Sequence, residues 1–94
     1  MSLHRRNPRR DVAESPIVSA LLKAGFSVQR ISAKDVPDLL IGKNGITKQI
    51  EIKTGKAKVR PGQKTWAMDW RGAPVIYLRT LEDAVTLIQE WPNV

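Results

Sequence analysis

The chain contains no cysteine, which excludes a disulfide framework and a thiolate zinc site. Its single histidine, His4, stands near the N-terminal end, so imidazole-based catalysis and a histidine metal cluster are not expected. No apolar run approaches the ~20 residues needed to cross a bilayer, and the first residues lack the apolar stretch of a secretory signal. A membrane partner is therefore not expected, whereas an intracellular, cytoplasmic location is. There is no internal repeat and no glycine-rich nucleotide fingerprint, since Gly42 and Gly45 fit neither a Walker nor a dinucleotide pattern. Acidic residues are also few, 9 against 16 lysines and arginines, which leaves a formal charge of +7 on 94 residues. Such an excess suits a polyanion, although it serves a membrane surface or plain solubility equally well.

A chain of this length makes one small domain. Residues 1–10 read as a basic flexible arm, with Arg5, Arg6, Arg9 and Arg10 able to touch phosphates or simply to keep the chain soluble, and residues 11–94 as the domain itself. A helix follows, carrying Ile17, Val18, Leu21 and Leu22 and closing at Gly25. Ser15 before Pro16 fits an N-cap with proline at the first helical position. A capping box from Asp11 to Glu14 is the alternative start, and would leave Pro16 inside the helix.

Phe26 to Ile31 reads as a strand. The runs 37–43 and 46–53 read as a hairpin around Asn44-Gly45, the strongest short-range signal for a two-residue turn that needs positive φ twice. Thr54 to Gly62 is a connection. A helix from Pro61 or Gly62 to about Arg71 puts Gln63 on one side with Trp66 and Trp70. Gly72-Ala73-Pro74 ends it, Val75 to Arg79 is a strand, and a last helix starts at Thr80 with Asp83 in capping-box position. The order αβββαβα predicts an α/β or α+β domain with a mixed sheet, helices covering it and the outer hairpin face open to ligands. The tryptophans, recurring on amphipathic stripes, read as core or subunit contacts ahead of base-stacking platforms.

The hairpin register carries the chemistry. If Lys43 pairs with Ile46, then Ile41 faces Lys48, Leu39 faces Ile50 and Asp38 faces Glu51. Asp38, Glu51 and Lys53 then share one face, and Leu39, Ile41, Ile50 and Ile52 the other. Two carboxylates so placed repel, and a divalent cation between them resolves the conflict. The plainer alternative is a half-exposed hairpin with solvated charges partly neutralised by Lys53. In the functional reading, Asp38, Glu51 and the backbone carbonyl of Ile52 hold Mg²⁺, for which Mn²⁺ is the natural substitute. Lys53 orients a water or offsets charge on a phosphate. Lys56, Lys58, Arg60 and Lys64, just beyond, would be nucleic-acid contacts to phosphates, or else a solvated basic loop.

Pro37-Asp38 followed by Glu51-Ile52-Lys53 resembles the PD-(D/E)XK nuclease signature. Ala24-Gly25-Phe26 before it, and Pro61-Gly62-Gln63, Trp66 and Trp70-Arg71-Gly72 after it, resemble the small virus-type replication-repair nuclease (VRR-NUC) branch, a likeness running from about Asp11 to Trp91. The resemblance implies an α/β, restriction-endonuclease-like core and metal-dependent hydrolysis of DNA, and it implies a viral or prophage setting. Stand-alone members are often homodimers acting on branched DNA such as four-way junctions. It maps the catalytic residues onto Asp38, Glu51 and Lys53, with Gln63 as the supporting glutamine. Glu14 is the nearest match to a first-helix glutamate that can complete a metal site, although Pro16 stands where related sequences often continue with a polar residue. The competing expectation is a non-catalytic DNA-binding or assembly module with the same fold.

Overall fold

The computed structural model describes the backbone from Pro8 to Val94 and the side chains from Pro16 onward. The elements are α1 (Pro8–Lys23), β1 (Ser27–Arg30), β2 (Leu39–Lys43), β3 (Ile46–Ile52), α2 (Pro61–Asp69), β4 (Ile76–Leu78) and α3 (Leu81–Glu90). Most of the arm assigned to residues 1–10 lies outside the described residues. The preferred start of the first helix at Ser15-Pro16 is corrected, because α1 runs through Pro16. Proline removes one helical hydrogen bond and crowds the preceding turn, but Pro16 faces solvent, where water can serve the carbonyl left over.

Four strands form one sheet in the order β1-β2-β3-β4. Its first three are antiparallel neighbours, and β4 returns parallel to β3 after α2. Asn44 and Gly45 hold φ of 56° and 80°, as a type I′ turn requires. The turn fixes the register Lys43↔Ile46, Ile41↔Lys48 and Leu39↔Ile50. One residue beyond the end of β2, Asp38 still belongs to the ladder, its carbonyl accepting from Ile31 N at 2.8 Å.

Alternation along the strands separates two faces. Leu39, Ile41, Ile50 and Leu78 point to one side and pack with Ile17, Val18 and Leu21 of α1, Phe26, and Ala84 and Leu87 of α3. Burial of these apolar side chains, each worth roughly 1.5–3 kcal/mol for the larger ones, drives the assembly. Gly25, with φ of 92°, turns the chain out of α1 so that Phe26 N can reach back to Leu21 O at 3.1 Å. Thr80 caps α3, accepting from Asp83 N while Asp83 accepts from Thr80 N, both at 3.1 Å. The result is a mixed sheet flanked by helices in the order αβββαβα, which matches a restriction-endonuclease-like core.

Candidate active site

The second face of the sheet carries Gln49, Glu51 and Lys53 from β3 and the strand's immediate continuation. Strand alternation alone predicts an open face here; instead these residues are only 9%, 4% and 9% exposed. Glu51 and Lys53 tolerate burial because they satisfy one another, with help from Gln63. Lys53 Nζ lies 3.3 Å from Glu51 Oε2, and Gln63 of α2 donates from Nε2 to the same oxygen at 2.8 Å. Gln63 is itself buried, and its Oε1 accepts from Arg60 N at 2.9 Å, so both ends of its amide are committed. That amide is what brings α2 onto this face.

Asp38 enters from the end of the β1–β2 loop. Its Oδ2 accepts from Ile52 N at 2.9 Å, which places its carboxylate beside the strand segment that carries Glu51. The Glu51 carboxyl is raised above its ordinary value. Burial is the largest cause and the negative charge of Asp38 the next, and the attraction and hydrogen bonds of Lys53 and Gln63 oppose them only in part. Lys53 and Gln63 both meet Glu51 at the same oxygen, Oε2. Two carboxylates thus lie close together, one of them desolvated and only partly balanced by Lys53.

The donors present are carboxylate, amide and carbonyl oxygens, which suit a hard ion such as Mg²⁺ that keeps several of its own waters. Among the described residues no three aspartate, glutamate, histidine or cysteine side chains gather into a ready-made cage. The fit therefore rests on Asp38 and Glu51, with Ile52, whose N–H donates to Asp38, next to Glu51 in the chain. Glu14 falls in α1 at a position whose side chain lies outside the described residues.

Lys56, Lys58 and Lys64 are exposed on the connection after Lys53 and on the first turn of α2. Arg60 is exposed too, but its Nη2 pairs with Asp35 Oδ1 at 3.3 Å. Trp66 and Trp70 stack on each other, ring centroids 4.9 Å apart with planes 12° from parallel, at the far end of α2. Trp91 belongs elsewhere, edge-on to Phe26 at 4.8 Å with its indole N–H donating to Lys43 O.

Four residues on or near this face escape a reading of the sequence as motifs. Gln49 stands two positions before Glu51 on the same side, and its buried Oε1 has no partner among the described residues; the alternation that pairs Glu51 with Lys53 was signal enough to include it. Tyr77 pairs with Glu51 across the parallel β3–β4 register, and no local pattern announces a parallel neighbour. Arg79 donates from Nη1 to Lys53 O at 3.3 Å and Ala57 O at 2.8 Å, closing the segment between them. Asp35 sits in a loop whose composition says only that it is polar.

A scan against protein-family models gives no match, and neither does a comparison with curated proteins. Among solved structures, the fold is similar to a chain described as "VRR_NUC domain", with a TM-score of 0.71 and 22% identity over 84% of this chain and 92% of that one.

Proposed function

We propose that this chain is a divalent-metal-dependent endonuclease that hydrolyses phosphodiester bonds in DNA. We infer further that it selects branched forms such as four-way junctions, and that it acts as a homodimer inside the cell. The observation that carries the reading is Glu51, buried and raised in pKa beside a second carboxylate, with an ammonium and a fixed amide on its other oxygen. The likeness of the fold to a VRR_NUC domain supports it.

Asp38, Glu51 and the Ile52 carbonyl are the residues that would hold Mg²⁺ or Mn²⁺. Bound there, such an ion supplies Lewis acidity and a water of lowered pKa. Gln63 keeps Glu51 in one orientation, so that Oε1 rather than Oε2 is presented. Lys53, restrained by Glu51, offsets the charge that develops on the phosphoryl oxygens or orients the attacking water. Lys56, Lys58, Arg60 and Lys64 would meet phosphates on either side of the scissile one, fixing the duplex without reading its bases. A two-fold pair of such sites is the simplest way to cut two strands at a junction.

Asp38→Asn is the decisive variant. It is expected to abolish Mg²⁺-dependent cleavage while leaving DNA binding largely intact, and sedimentation of the unaltered protein at micromolar concentration should show dimers. A second reading, a non-catalytic DNA-binding module, draws on the Lys53–Glu51 pair, which already balances one of the two carboxylates. Failure of the unaltered protein to cut forks, flaps, junctions or duplexes with either metal would support that reading instead.

A further inference from the structure

The β1–β2 loop and the first turn of α2 meet at one point beside the carboxylates. Asp35, in that loop, holds φ of 66°, a conformation seldom adopted by residues that carry a Cβ, aspartate, asparagine and histidine being the commonest exceptions. Its carboxylate rests against the N-terminal end of α2, where the helix dipole favours negative charge. Oδ1 pairs with Arg60 Nη2, and the group lies so close to Gly62 that a Cβ there would stand 2.6 Å from Asp35 Cγ and 2.8 Å from Oδ1. A side chain at position 62 would push the Asp35 carboxylate out of this place.

Arg60 and Gly62 bracket the start of the turn whose next residue is Gln63. Arg60 N donates to Gln63 Oε1, and Gln63 Nε2 donates to Glu51 Oε2. Three residues after Asp35, on the same loop, the Asp38 carboxylate accepts from Ile52 N. Glu51 is thus neighboured by Asp38 from the loop and held by Gln63 from the helix, and these two elements are joined at Asp35. A solvent-exposed ion pair needs neither a left-handed backbone nor a bare glycine opposite it, and both are present.

We propose that Asp35 is a positioning residue: it latches α2 to the loop that carries Asp38, and thereby holds Gln63 on Glu51, with Gly62 kept small to admit the latch. Its effect on a metal rests on the reading of Asp38 and Glu51 as cation ligands; the latch itself does not.

The test uses the full chain with Asp35→Gly, Gly62→Ala and the two combined, because glycine at 35 accepts the positive φ without strain. Mn²⁺ affinity is measured by calorimetry, and exchange of the Gln63 side-chain amide by NMR relative to the backbone amides of β3, so that a uniform loss of stability, which speeds both, is told apart from release of Gln63. Each single variant is expected to weaken Mn²⁺ binding on the order of tenfold, the usual loss when a group supporting a metal ligand is removed, and to speed Gln63 amide exchange. The double variant is expected to be no worse than Asp35→Gly alone, since the added methyl then has nothing to strike. Asp35→Asn, which keeps the shape and tolerates the backbone, should fall between the unaltered protein and Asp35→Gly. Additive losses in the double variant, or unchanged affinity and exchange in both single ones, would overturn the latch. If the unaltered protein binds no Mn²⁺ and cuts no DNA, the nuclease reading fails; the latch is then decided by amide exchange alone, and unchanged exchange in Asp35→Gly refutes it.

Discussion

Glu51 is buried against Asp38 and steadied by Lys53 and Gln63, and the balance among these neighbours sets a pH dependence. The carboxyl is raised above 4.5 in the folded chain, first by burial and then by Asp38. Well below that value both folded and unfolded chains hold the proton, and whatever stability the neutral carboxyl gives is fully present. As pH rises, the unfolded chain releases its proton first, so the stability contributed at Glu51 declines until the folded carboxyl has ionised too, and is level thereafter. Melting temperatures without divalent cation should show the difference between the unaltered protein and Glu51→Gln falling as pH rises through and above the ordinary carboxylate range. Saturating Mg²⁺ should reverse that trend, because it binds only the ionised form. A difference that grows with pH in the absence of metal would mean that Lys53 and Gln63 outweigh burial and Asp38.

Among the elements, the hairpin was the most legible, because its information is local. Asn44-Gly45 names the turn, the turn sets the pairing of Lys43 with Ile46, and the pairing carries Asp38 to the level of Glu51. Gly25 and the Thr80–Asp83 cap were readable for the same reason. What was not readable depends on distant partners. The run through Pro16 in α1 follows from which side of the helix meets solvent, and the burial of Lys53 follows from the docking of α2. The neighbour relation of Tyr77 to Glu51 follows from a parallel crossover, and the approach of Asp35 to Gly62 from a loop meeting a helix. Nothing surrounds the position a Cβ would take at Gly45, so Gly45→Ala isolates the backbone term. It should cost about 1 kcal/mol in chemical denaturation through the left-handed φ alone, and should leave cleavage unchanged when measured well below the melting point. A loss of activity without a loss of stability would show that the turn serves more than register.

At the scale of the whole molecule the excess of 16 basic over 9 acidic residues becomes a question of which cations meet a partner. Lys56, Lys58 and Lys64 are exposed, and Arg60 is already engaged with Asp35. Replacing the three lysines together by glutamine should flatten the plot of log affinity against log salt by roughly 2–3, at about 0.9 for each phosphate left unneutralised on the duplex arms. Arg60→Gln should flatten it less. Anisotropy titrations on a four-way junction at several salt concentrations would measure both, and an unaltered slope in the triple variant would remove those lysines from the DNA-contacting surface.

Arg79 is an exposed cation of a different kind. Its guanidinium is tied to the carbonyls of Lys53 and Ala57, so the side chain holds a single posture before any partner arrives. A freely rotating lysine loses about 0.5–1.5 kcal/mol of motional freedom when a complex immobilises it. Arg79 has surrendered that freedom during folding, and an anion settling against its outer edge encounters a charge already at rest.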